Sequence, residues 1–301
     1  LMGFLVEVIG PLFTLIGCGY ILGRRRRVDT ESLADVALYV CVPFLLFSAL
    51  VRHPITGVAA VQVLAWQAGM YLFSMPAIWL LAHVLSWDRT TRSAVTLSIP
   101  TVNVASYGVS VVLFALGDEA LSIVMLLIVY SNIFASSLGV YIAAGGRQQP
   151  QQALSSVFKL PLIYTAALAI GINAWGLSIP EWMLSTSDLI GKAGPILAII
   201  LLGIQVSRIR IDGDQKTILG GAILAKVTIG PLIGVGLTFL MDAQGAVRDV
   251  LLICSCLPTA INALVLTTRF NSSPELLGGI LIGSTLWSPI NLMAVLYWLR
   301  H

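Results

Sequence analysis

The sequence predicts an all-α integral membrane protein of ten transmembrane helices, built as two inverted five-helix repeats with broken crossover helices four and nine. Three observations lead there. Hydrophobic residues make up 57% of the 301-residue chain and charged ones 10%, against about a quarter charged in an average soluble domain. At about 20 residues per span plus short connections, this length holds roughly ten spans. Prolines also recur in the same order in the two halves of the chain.

The apolar segments run 4–22, 33–51, 61–85, 93–116, 121–144, 160–175, 189–206, 218–240, 250–268 and 276–299. The first is a span and not a secretory signal, because Arg24, Arg25, Arg26 and Arg27 follow the apolar stretch instead of preceding it. The second and third carry Pro43 and Pro76. The fourth is interrupted by Ser98-Ile99-Pro100-Thr101-Val102-Asn103, and the fifth holds Ser131 and Asn132. Residues 145–159, rich in Gln, read as a cytoplasmic linker, so that 1–144 is the first five-helix repeat and 160–301 the second. The sixth segment opens on Pro161 and the seventh carries Pro195. The eighth carries Lys226 and Pro231, the ninth is interrupted at Cys256-Leu257-Pro258-Thr259-Ala260-Ile261-Asn262, and the tenth contains Ser288-Pro289-Ile290-Asn291.

The repeat is read from paired positions. Pro11 answers Pro161, Pro43 answers Pro195, Pro76 answers Pro231, Pro100 and Asn103 answer Pro258 and Asn262, and Glu119 answers Glu275, at offsets between about 150 and 159 residues. An odd number of spans per half inserts the second half upside down, the architecture of secondary carriers. Orientation follows from basic residues. With the N-terminus outside, the inner loops hold Arg24 to Arg27, Arg89, Arg92, Arg147, Lys159, Arg208, Arg210, Lys216 and Arg269, against Arg52, Arg248 and Arg300 outside. Both termini are therefore assigned to the outer face.

Several classes are excluded. The basic residues are scattered at segment ends, so no nucleic-acid surface forms. Cys18, Cys41, Cys254 and Cys256 lie in apolar segments, where free cysteine behaves as a small hydrophobe; no metal site or cofactor is expected. There is no H-E-x-x-H, no nucleophile elbow and no deep carboxylate pair, so neither an enzyme nor an Asp/Glu proton relay has residues to build on.

What remains is the pair of interruptions. Pro100 and Pro258 each remove a backbone donor and break the helix, freeing N–H and C=O groups at membrane depth. Such groups are tolerated where they face protein or a water-filled cavity, and two interrupted helices at matching places mark a substrate site. Half-helix starts carry unpaired N–H groups and partial positive charge, a site for an anion. Asn103 and Asn262 can cap those starts or present an amide to a carboxylate. Thr101, Ser106 and Thr259 are secondary candidates, with Ser131 and Asn132 lining the site from the side. Lys226 is a basic residue midway along its span, which either serves the site or has a structural part, neutralising a helix end or bending toward the inner face.

These motifs resemble the auxin efflux carrier (AEC/PIN-like) family, bacterial branch, within the bile/arsenite/riboflavin transporter superfamily. The resemblance spans the chain: Tyr39-Val40-Cys41-Val42-Pro43-Phe44-Leu45-Leu46-Phe47, Asn103 to Gly108 with Phe114-Ala115-Leu116-Gly117, Lys159-Leu160-Pro161-Leu162-Ile163, Gly194-Pro195-Ile196-Leu197 with Gly203, and Leu257-Pro258-Thr259-Ala260-Ile261-Asn262-Ala263. It departs at Ser110, where the bacterial members carry proline; this chain has Pro100 instead. The short linker separates it from plant auxin carriers. The resemblance implies a scaffold of helices 1, 2, 6 and 7 that forms a homodimer, and a transport domain of helices 3–5 and 8–10 moving by an elevator shift. It implies secondary active or facilitative transport of small organic anions, malonate- or auxin-like carboxylates, across the cytoplasmic (inner) membrane of a bacterium. The alternative on the same fold is sodium-coupled symport of an amphipathic bile-acid-like anion. Proton or sodium as coupling ion stays open.

Overall fold

The structure, a computed structural model, describes residues 2–145, 161–209 and 216–300. The expected linker 145–159 falls outside these but for Gly145. In chain order the helices are α1 (Met2–Arg25), α2 (Thr30–Arg52), α3 (Gly57–Val84), α4 (Arg89–Ser98), α5 (Val104–Leu116), α6 (Asp118–Ala143), α7 (Pro161–Ala174), α8 (Glu181–Val206), α9 (Lys216–Leu240), α10 (Gly245–Ser255), α11 (Ile261–Arg269) and α12 (Pro274–Arg300). Among the described residues the only β-type pairing is one antiparallel bridge, Val102 to Thr259.

Every predicted apolar segment is helical, and the two expected to break do so: α4 and α5 share the fourth, α10 and α11 the ninth. By length and composition six helices are able to cross a membrane: α2, α3, α6, α8, α9 and α12. Large apolar side chains face outward along them, Leu72 67%, Leu189 78%, Leu232 72% and Leu240 77% exposed. Such faces suit lipid and not water. The chain is an α-helical, multi-pass membrane protein.

The described residues form two compact units. The first takes 2–61, 104–129 and 161–208. Here α1 and α8 meet backbone to backbone: a Cβ on Gly19 would collide with the Ile200 carbonyl, and one on Gly203 with that of Ile16. Small residues permit this approach, the means by which helices associate where no hydrophobic effect drives them together. Gly191 and Gly194 of α8 seat Leu45 and Cys41 of α2 in the same way. In α2 the turn Val36–Cys41 widens to a π-helix ahead of Pro43, which cannot donate in the normal ladder. Asn173 Nδ2 donates to the Leu50 carbonyl at 2.7 Å, tying α7 to α2. The seventh segment starts earlier than its apolar stretch, at Glu181. Its first turns are polar, and they hold Arg52 through Glu181 (2.6 Å) and Asp188 (3.0 Å).

The second unit takes 62–103, 130–145, 209 and 216–300. Trp66 is fully buried and donates to the Gly234 carbonyl at 2.9 Å, while Gly69 admits the Leu237 side chain. Gly279 and Gly283 of α12 lie against Leu219 and Ile223 of α9. Pro231 leaves the carbonyl four residues earlier, Val227, without its ladder donor. Asn291 Nδ2 supplies that donor at 2.9 Å, so the asparagine of the tenth segment joins helices. At the start of α4, Asp88 caps the Thr91 N–H at 3.0 Å.

Candidate functional site

The second unit brings the two breaks together. Pro100 offers no N–H to the turn before it, so α4 ends at Ser98 and the chain runs extended through Thr101, Val102 and Asn103. Pro258 acts alike: α10 ends at Ser255, and the chain is extended before α11 starts at Ile261. The extended pieces cross as an antiparallel pair, Val102 opposite Thr259. Asn103 N–H donates to the Pro258 carbonyl at 2.8 Å and Ala260 N–H to that of Thr101 at 2.7 Å.

Breaking α4 frees three further carbonyls, and each finds a side chain. The Ser98 carbonyl accepts from Thr259 Oγ1 at 3.0 Å, that of Ile99 from Lys226 Nζ at 3.1 Å, and that of Pro100 from Gln67 Nε2 at 3.3 Å. Gln67 Oε1 in turn accepts from Ser131 Oγ of α6 at 3.0 Å. Thr101 Oγ1 turns back on the Leu97 carbonyl, and Thr259 N–H donates to Ser284 Oγ of α12 at 3.2 Å. A buried backbone group left unmade costs about 1–3 kcal/mol, so this set decides whether the break is stable. Gln67, Lys226 and Thr259 are buried to 0–2% exposure.

Pro100, Thr101, Pro258, Thr259 and Lys226 therefore meet at one crossing, and Ser131 reaches it through Gln67. Lys226 lies against the carbonyl end of α4, on Ile99. Asn103 is buried and immediately precedes α5. Asn132 is half-buried beside Ser131. One expectation changes. Asn262 does not cap α11: the cap position is Ala260, and Asn262 lies exposed in the first turn. The reason is that the extended run lasts to Ala260 to complete the backbone pair. Ser106 groups with the first unit, where its carbonyl accepts from Ser110 Oγ at 3.2 Å.

Gln67 and Ser284 are the site residues that sequence reasoning missed. The 28-residue α3 carries two amides, Gln62 and Gln67, and nothing local marks the second as the one at the crossing; nor does anything mark a serine in an apolar helix. Among the described residues the N–H groups of Ile261 and Asn262 at the start of α11 have no hydrogen-bond partner in the chain. Two donors at a helix start beside an exposed amide are able to hold a carboxylate or similar anion. Among the described residues no cluster of His, Cys, Asp and Glu is able to hold a metal ion.

Residues 147–297, half of the chain, match the family model described as membrane transport protein. Two relatives align over nearly their whole length. An uncharacterized transporter of Methanothermobacter thermautotrophicus is 22% identical over 295 residues, 95% of each chain. Another of Methanocaldococcus jannaschii is 21% identical over 307 residues, 97% of each.

Proposed function

This chain belongs to the membrane transport protein family, and from that membership we propose that it is a secondary active or facilitative carrier of small organic anions, malonate- or auxin-like carboxylates. The single observation that carries the reading is the reciprocal backbone pairing of the two broken helices, Asn103 to Pro258 and Ala260 to Thr101. A continuous helix would bury those groups in its own ladder. Breaking two of them at one crossing leaves the α11 start free to bind. Irregular backbone at membrane depth is characteristic of a carrier's substrate site. The ordered proline pairs, and a bridge joining residues 157 apart in sequence, support ten spans in two inverted repeats, with α4–α5 and α10–α11 as the interrupted ones. In this reading α1, α2, α7 and α8 form the scaffold of a homodimer, and the crossing moves by an elevator shift. The bias of basic residues supports a cytoplasmic membrane with both chain ends on the outer face.

The test is uptake of labelled mono- and dicarboxylates into proteoliposomes, with and without sodium. Asn103→Ala and Asn262→Ala are each expected to abolish uptake while leaving the melting temperature within about 3 °C, roughly 1 kcal/mol for a domain of this size. Fully active, folded variants would remove the site. Uptake that requires sodium and an amphipathic steroid-like acid would replace this reading with bile-acid-type symport.

A further inference from the structure

Lys226 serves the Ile99 carbonyl in this reading, but its charge is left without a task. Among the described residues Lys226 is the one charged side chain that is buried, 2% exposed, and no carboxylate pairs with it. A buried, unpaired ammonium is costly, and its one hydrogen bond goes to the Ile99 carbonyl at the end of α4. A neutral donor such as the Gln67 amide serves the neighbouring Pro100 carbonyl, so hydrogen bonding alone does not require a charge there.

The helix ends explain the charge. Each helix start carries roughly half a positive charge and each end half a negative one. At the crossing α4 and α10 end, at Ser98 and Ser255, and α11 starts at Ile261. Two negative half-charges against one positive make a crossing of backbone alone unfavourable to an anion. Lys226, when protonated, is the one buried charged side chain there among the described residues. We infer that Lys226 sets the charge preference of the crossing: it neutralises the carbonyl end of α4 through Ile99 and leaves the α11 start unopposed. It acts as a positioning and field-setting residue and does not itself grip the substrate. This inference rests on the crossing being the substrate site.

The experiment compares acids with their uncharged amides, phenylacetate against phenylacetamide and malonate against malonamide, by affinity for the full chain in nanodiscs. Lys226→Gln keeps an N–H donor for Ile99 and removes the charge. Lys226→Met, isosteric and apolar, is read in parallel so that either folded variant suffices, and Lys226→Arg is the rescue. The wild type is expected to prefer the acid. The uncharged variants lower that preference by about tenfold or more, the effect of one unit charge up to roughly 12 Å from the ligand at an effective dielectric of about 20, and Lys226→Arg restores it. A merely structural role would weaken acid and amide alike. A folded Gln or Met variant with the wild-type acid-to-amide ratio overturns this assignment alone. A wild type that binds neither acid overturns the anion-carrier reading, and this assignment with it.

Discussion

Gln67→Leu tests whether the break in α4 is held by side chains from other helices. Gln67 is fully buried, donating to the Pro100 carbonyl at 3.3 Å and accepting from Ser131 Oγ at 3.0 Å. Leucine has nearly the same volume, so packing is preserved and the loss is polar. Ser131 is only half-buried, and its hydroxyl can rotate to water, so that bond contributes no more than about 1 kcal/mol. The Pro100 carbonyl has no ladder donor to return to, because Val104 N–H lies beyond the extended stretch. Left buried and unpaired it costs about 1–3 kcal/mol. The sum, about 1–4 kcal/mol, lowers the melting temperature by roughly 2–16 °C at 2–4 °C per kcal/mol. The assay is a tryptophan-fluorescence melt in detergent, with Ser131→Ala as the small-effect control. The double variant should melt within about 2 °C of Gln67→Leu, since Ser131 has already lost its partner. A Gln67→Leu protein that melts with the wild type would refute the idea that these carbonyls need their side-chain donors.

Two further outcomes test the packing and the caps. Gly19→Ala drives a methyl into the Ile200 carbonyl, which is backbone and cannot yield, whereas Gly17→Ala enters open space; the first should lose about 1–3 kcal/mol or monodispersity on a sizing column, and the second should be neutral or slightly stabilising. Asp88→Ala removes the α4 cap at about 1 kcal/mol. Partial burial pushes the Asp88 carboxyl up, but hydrogen bonds from Thr90 and Thr91 outweigh it and hold the group below 3.8. A depressed folded value means the contribution is complete above 3.8 and disappears as pH falls through the folded value. The melting difference between wild type and Asp88→Ala should therefore be present at pH 6 and shrink progressively below about pH 4.

How far the sequence could be read depended on range. Pro100 and Pro258 marked both breaks, because a missing donor acts within one turn and needs no knowledge of the fold. The apolar segments located the described helices, because the hydropathy of a span is also local to it. The partners were not legible. That Pro100 is served by Gln67, Ile99 by Lys226 and Ser98 by Thr259 depends on residues 33, 127 and 161 positions away, and nothing local distinguishes Gln67 from an amide that merely joins two helices. The early start of α8 was missed because Glu181 and Asp188 read as a boundary when apolarity is the criterion; they belong to the helix since Arg52 neutralises them. Asn262 was expected as a cap and lies two residues past it, because the length of the extended run is set by its partner strand.

The prolines and the isolated polar residues nevertheless obey one rule. Pro231 frees the Val227 carbonyl and Asn291 takes it; Pro289 frees that of Thr285 and Ser288 takes it; the break at Pro100 frees three and Thr259, Lys226 and Gln67 take them. In an apolar surrounding such pairing is close to obligatory, because no water is present to compensate. An amide or ammonium inside an apolar helix is thus best read as the partner of a proline elsewhere, to be matched before it is given a function. By that rule most of the polar residues at the crossing are accounted for structurally. The first turn of α11 is the exception: Ile261 and Asn262 present N–H groups that no residue of the described chain accepts. Under the proposed carrier function, those two donors beside an exposed amide are where a substrate carboxylate would be held.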